Sequence, residues 1–197
     1  MNPSYTEARL ASFAVLDFET TGSVAGYPVE PWQVGMVRVA GGRVCREARF
    51  ESLIHVGERP FNPRAPGRHA LLRAPLAAAP TADELLAVLS GWLTGTPLVA
   101  HNAGTERAML ATIAPLHRFG PWVDTLALTR HAYPGLASKS LEDVTAALGL
   151  AAQTQDLCPG REPHDALYDA TACAVLLTHF LSLPGWEHVT VEALSGR

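Results

Sequence analysis

The chain has 197 residues, 48% hydrophobic and 17% charged, with a formal net charge of −4. That composition suits a soluble globular protein with a sizeable core and excludes a disordered one; no apolar run approaches the ~20 residues of a membrane helix. Cys45, Cys158 and Cys173 are odd in number and widely spaced, so reduced cytoplasmic thiols are expected rather than a disulfide frame or a zinc site. Residues Met1 to Leu10 include Glu7 and Arg9 and no apolar signal core, so export is not expected.

The first element is Phe13-Ala14-Val15-Leu16, an apolar run that reads as a short buried strand and leads into Asp17-Phe18-Glu19-Thr20-Thr21-Gly22. Asp17 and Glu19 are two apart, so on a strand they share a face. Two carboxylates there repel and are costly to desolvate, penalties that a divalent cation would remove. On spacing alone a second reading stands beside this one: Asp17 ends the strand and Glu19 caps the segment after it. Thr21 to Pro31 reads as a loop, and Trp32 to Val39, apolar on both faces, as a central strand. Gly41-Gly42 signals a two-residue hairpin, after which Val44, Ala48, Phe50 and Ile54 are expected on one face of a third strand.

Gly57 to Gly67 is a Pro/Gly-rich loop within an arginine-rich stretch. Between Arg38 and Arg73 lie eight of the fifteen basic residues, against only Glu47, Glu51 and Glu58. Such a stretch suits either a phosphodiester partner or an ordinary solvated surface. Thr81-Ala82-Asp83-Glu84 is a capping box opening a helix with Leu85, Val88, Leu89 and Trp92 on its core face. Pro97 to Ala100 is a short buried strand ending at His101, and Glu106 falls in the first turn of the next helix, whose core face is Met109, Leu110 and Ile113. Trp122-Val123-Asp124 reads as a strand, with Asp124 or Thr125 capping the helix beyond. Ser140 to Asp143 opens a helix closed by Gly149, Ala151 to Pro163 is a loop, and a long helix runs from about Asp165 to Leu181.

Three stretches in order, Asp17-Phe18-Glu19-Thr20-Thr21-Gly22, His101-Asn102-Ala103-Gly104-Thr105-Glu106 and His164-Asp165-Ala166-Leu167-Tyr168-Asp169-Ala170, resemble the motifs of the DEDDh 3′→5′ exonucleases. This is the ribonuclease-T superfamily that includes bacterial polymerase proofreading subunits. The resemblance runs from about Phe13 to Leu183 and implies an α/β fold: a ribonuclease-H-like mixed sheet, three antiparallel strands followed by parallel ones, flanked by helices. One exonuclease domain over residues 1–197 is expected, with a motif-bearing core of about 13–183 and a tail of 184–197. Where relatives carry a His-Gly-Ile-Thr segment that touches substrate, this chain has Arg68-His69-Ala70-Leu71, so no contact is carried over.

The resemblance implies two Mg²⁺ or Mn²⁺ ions held by Asp17, Glu19, Glu106 and Asp169, hard cations on carboxylate oxygens. It assigns His164 as general base, the chemistry expected of a residue whose ordinary pKa lies near ~6.5. On one helix His164 and Asp169 would lie ~140° apart, so His164 is expected in the loop before the helix, where Pro163 favours a break. The family usually has aspartate where Glu106 stands, which leaves a second reading: a nucleic-acid-binding module with a degenerate nuclease site. Candidate substrate-binding residues are Thr20, Thr21, His101 and Asn102; hydrogen bonds that merely close the strand are the competing reading for the last two. The expected partner is a nucleic-acid 3′ end, single-stranded, DNA before RNA, releasing nucleoside 5′-monophosphates. No membrane partner is expected. Phe180 to Pro184 resembles a sliding-clamp-binding peptide without its leading glutamine, which raises polymerase or clamp association; a helix end stopped by Pro184-Gly185 is the stronger reading.

Overall fold

Five strands form one mixed sheet in the computed structural model, which describes residues 6–196; residues 1–5 and 197 of the expected 1–197 domain lie outside the described residues. Strands β1 (Ser12–Thr20), β2 (Pro31–Ala40) and β3 (Arg43–Leu53) pair antiparallel, and β4 (Leu98–Ala100) and β5 (Trp122–Asp124) add in parallel on the other side of β1. The order β3-β2-β1-β4-β5 is the ribonuclease-H-like mixed sheet expected. Gly41 and Gly42 both have positive φ, 56° and 70°, as a two-residue hairpin between twisted strands requires.

Helices come in the chain order α1 (Arg73–Ala77), α2 (Ala82–Leu93), α3 (Ala103–Ile113), α4 (Thr125–Ala132), α5 (Leu141–Ala147), α6 (Ala151–Leu157), α7 (Ala166–Leu181) and α8 (Val191–Ser195). The two faces of β1 sort into two cores. Phe13 and Val15 pack with Val37, Val39, Val99 and the inner side of α7, whereas Ala14, Leu16 and Phe18 pack with Val34, Met36 and the apolar sides of α2 and α3. Among the described residues no helix is long and apolar enough to cross a membrane, and the three cysteines are free.

Three expectations change, and the tail of 184–197, for which no element was expected, is structured among the described residues. Val44 and Phe50 do not share a face: an irregularity in β3 opposite Val37/Arg38 flips the parity, so Val44 joins the α7 side and Phe50 the α2/α3 side. On α2 the capping box forms, but Val88 is 45% exposed and Leu93 takes its place in the core. Residues 151–157 are helical rather than a loop, because Arg46 and Arg49 of β3 donate to the terminal carbonyls of Asp156 and Leu157, a long-range C-cap. The unassigned tail folds back: Ala8 N–H donates to Val189 C=O, Val191 N–H to Thr6 C=O, and Val191 and Leu194 are fully buried.

Candidate active site

Asp17 and Glu19 continue the α7-facing side of β1, where Phe13 and Val15 are core. Their cross-strand partners on β2 are Gly35 and Gln33. Gly35 is what lets α7 arrive. A Cβ there would lie 2.2 Å from the carbonyl of Ala166 and 2.3 Å from the nitrogen of Leu167, so only glycine admits the first turn of α7 against the sheet. That approach brings Asp169, in the same first turn, over the strand acids. Sequence reading passed over Gly35, although an isolated glycine inside a strand pattern is a signal of close backbone approach.

The end of α7 is braced. Asp165 is its N-cap, accepting from the backbone N–H of Leu167 and Tyr168 through Oδ1. Arg161 holds both Asp165 oxygens at 2.9 Å through Nη1 and donates to Glu51 of β3 through Nη2 at 2.5 Å. Gln33 donates to Asp165 Oδ2 at 3.3 Å and accepts the Ala166 N–H at 3.4 Å. His164 lies just before this cap, outside the helix as expected, exposed and with φ of 66°. That left-handed conformation is uncommon for a non-glycine residue. Its N–H donates to Asp169 Oδ2 at 3.2 Å. Donor atoms of Glu19, His164 and Asp169 lie within 4.8 Å of one another, a cluster able to hold a metal ion.

Glu106 enters from the other core side, in the first turn of α3, and is 4% exposed. Among the described residues its Oε2 has no hydrogen-bond partner. Burial, opposed by a hydrogen bond from the Phe18 backbone and aided by Glu19, pushes its carboxyl up to about 8. Glu19 is also pushed up to about 8, by burial and then by the charges of Asp169 and Asp165. Burial raises Asp169 to about 6 against the opposing His164 contacts. Asp17 is held well above the carboxylate range by burial, then Glu106, Asp169 and Glu19. Burial and repulsion raise all four carboxyls, and a hard divalent cation beside them would relieve both penalties.

The remaining candidates are held by the fold. His101 donates through Nε2 to the Lys139 carbonyl at 2.8 Å, its Nδ1 lies 3.0 Å from the Thr125 hydroxyl, and burial lowers the pKa of the ring. Asn102, exposed at φ of 71°, starts α3 and donates its N–H to Asp124, which also caps α4 as expected. Thr21 is buried, with its hydroxyl accepting from Glu30 N–H; Thr20 is half-buried and its carbonyl accepts from the Trp32 indole. The loop after Gly57 returns to the site at Gly67, where a Cβ would meet Glu19 Oε2 at 3.3 Å and the His164 carbonyl at 3.2 Å. Arg68 beyond it lines a cavity of about 410 Å³ with His164, Asp165 and Arg161.

Most of the arginine-rich stretch is spent internally. Arg38 donates to the Trp92 carbonyl and lies over its ring, and Arg46 pairs with Asp156. Arg49 donates to Leu157, Arg59 pairs with Glu30 at 2.7 Å, and Arg73 lies over Phe61. Phe180 and Leu181 are buried in α7, so the clamp-like segment is a helix end.

The RNase_T family, described as Exonuclease, matches residues 14–177. The chain is 30% identical over 177 residues to the DNA polymerase III PolC-type protein of Thermotoga maritima, covering 88% of this chain and 12% of that one. Identity to the DNA polymerase III subunit epsilon-like protein of Rhodobacter capsulatus is 30% over 166 residues, covering 83% and 23%. The chain thus spans less than a quarter of the length of these relatives. Among solved structures it resembles Exonuclease X in complex with 5′ overhanging duplex DNA, with TM-score 0.70, 26% identity and 93% and 99% of the two chains covered. It shares the fold of the nuclease domain of 3′hExo, a DEDDh family member bound to rAMP, with TM-score 0.72, 16% identity and 94% and 98% covered.

Proposed function

The chain belongs to the RNase_T exonuclease family, and from that premise we propose that it is a metal-dependent 3′→5′ exonuclease. It removes nucleoside 5′-monophosphates from single-stranded 3′ ends, DNA before RNA. The observation that supports this reading is the convergence of Glu19, His164 and Asp169 donor atoms within 4.8 Å, beside Asp17, whose carboxyl feels Glu106, Asp169 and Glu19. These four carboxylates would hold two Mg²⁺ or Mn²⁺ ions. Bound there, such ions would make water nucleophilic at neutral pH, neutralise the phosphoryl oxygens and stabilise the leaving alkoxide.

His164, at the exposed rim, takes the proton of the attacking water. Asp169 holds it by accepting its backbone N–H. Arg161 and Gln33 hold Asp165, and so keep the turn that presents His164. His101 and Asn102 orient the α3 start that carries Glu106; Thr20 stands at the end of β1 where a 3′ nucleotide would lie, and Thr21, buried just beyond with its hydroxyl held by Glu30 N–H, supports that end. The names of the relatives suggest a polymerase as partner, and the buried Phe180-Leu181 segment is not the surface for it.

The second reading, a nucleic-acid-binding module, is favoured by one observation: Glu106 stands where the resemblance leads one to expect the shorter aspartate. The test is incubation of pure protein with end-labelled single-stranded DNA and RNA, with Mn²⁺ and with chelator. Stepwise shortening that chelator stops is expected. Tight strand binding without shortening, together with no heat of Mn²⁺ binding in titration calorimetry, selects the binding module.

A further inference from the structure

We propose that the cavity between α3 and the start of β5 is a second nucleotide-binding site, taking one phosphorylated nucleoside with its base against His117 and Phe119 and its phosphate against Arg107 and Arg118. The cavity has a volume of about 300 Å³, at the lower end of small-ligand sites, and Trp122 forms part of its wall. Its lining contains two arginines and a histidine and no carboxylate, in a chain whose net charge is −4. Unlike most arginines of the 38–73 stretch, Arg107 and Arg118 are exposed and make no guanidinium hydrogen bond or ion pair among the described residues. The rings of His117 and Phe119 stack with centroids 5.7 Å apart and planes 9° from parallel. A flat aromatic pair beside paired cations is the chemistry that receives a nucleobase and its phosphate.

The platform is preformed. The Trp122 indole donates to the Phe119 carbonyl at 3.0 Å, tying the loop to the edge strand. Gly120 turns it with φ of 126°, and a Cβ there would strike Trp122 Cδ1 at 2.8 Å. The cavity lies along α3 from Arg107 to Ala111 and against the start of β5, where Trp122 pairs with Leu98. A nucleotide of a nucleic-acid strand and a free nucleotide both carry that base-and-phosphate chemistry. That the ligand belongs to nucleic acid rests on the exonuclease reading; the basic, aromatic chemistry of the cavity does not.

The experiment is fluorescence-anisotropy titration of a 5′-labelled oligothymidylate in chelator, with the full chain, its Arg107→Glu/Arg118→Glu form and Phe119→Ala. A parallel arm titrates AMP against tryptophan fluorescence, with Trp122→Phe as control. For a strand site, the oligonucleotide Kd rises about tenfold in Phe119→Ala, as loss of one stacked base implies. The salt slope of the arginine variant falls by about 0.7, as one phosphate no longer neutralised implies. Quenching by AMP that Trp122→Phe abolishes, with strand affinity unchanged, identifies the same site as one for free nucleotide. Unchanged strand affinity together with no Trp122-dependent AMP signal overturns the proposal. Because the titration contains chelator, it reads binding without turnover. A failure of catalysis and a failure of this site therefore give separable results.

Discussion

At the scale of single residues, the acids and the histidine differ in what their loss removes. Asp17→Ala takes away a carboxylate that feels Glu106, Asp169 and Glu19 together, so Mn²⁺ binding by calorimetry and turnover should both disappear. His164→Ala should leave Mn²⁺ binding largely intact and lower kcat by ~10²–10⁴, the worth of a general base. If that variant instead loses Mn²⁺ binding, the ring that lies within 4.8 Å of Glu19 and Asp169 donors is a ligand and not the base. Glu106→Asp shortens a side chain whose Oε2 is buried without a partner. Faster turnover marks Glu106 as a compromised ligand and slower turnover marks a pocket fitted to the longer chain. Wild-type rates for both Glu106→Asp and Glu106→Ala remove position 106 from the site.

At the scale of elements, the site depends on how closely α7 lies on β2. Gly35→Ala forces a carbon into the space of the Ala166 carbonyl. The cost should be ~1–3 kcal/mol, the range for overpacking, with a loss of Mn²⁺ affinity as Asp169 moves off Asp17. Melting and calorimetry on one sample check this, and a variant that melts lower yet binds Mn²⁺ normally would show that the approach serves packing alone. Asp165→Ala removes the α7 N-cap, worth about 1 kcal/mol, and leaves Arg161 paired only with Glu51. Its kcat should fall while KM holds, because the turn carrying His164 loosens.

At the scale of the whole molecule, the buried carboxyls link stability to pH and to metal. Burial raises Glu19 and Glu106 to about 8 and Asp169 to about 6 in the folded chain, from 4.5, 4.5 and 3.8. Between those limits the native state binds more protons than the unfolded one. Their stabilising contribution is therefore full below about pH 4 and is lost as pH rises through 6 to 8. Metal-free protein should melt progressively lower from pH 5.5 to pH 8.5, and Mn²⁺ should restore the melting temperature most at the alkaline end. A flat or rising profile would show that these carboxyls are not buried together as described. The arginine-rich stretch has a different expectation. Arg59 is bound to Glu30 and two carbonyls, so Arg59→Ala should lower stability and leave the salt slope of strand binding unchanged. Arg68→Ala, beside His164, should reduce that slope.

Much of this site was legible before folding. The strand alternation that placed Asp17 and Glu19 on one face, the capping box at Thr81, the cap at Asp124 and the break before α7 all arise from neighbouring residues, and local physics decides them. His164 could be placed outside the helix because five residues cannot bring two side chains to one helical face. What local pattern could not carry was anything settled by distant backbone. The α6 helix owes its C-terminal cap to arginines more than a hundred residues earlier. The parity of β3 turns on an irregularity in its pairing with β2, and within the arginine-rich stretch Arg38, Arg46 and Arg59 are held by Trp92, Asp156 and Glu30. Gly35 matters only because Ala166 lies against it. Hydrogen bonds and packing between remote segments are set by tertiary geometry, and there the carboxyls acquired the burial that raises them together.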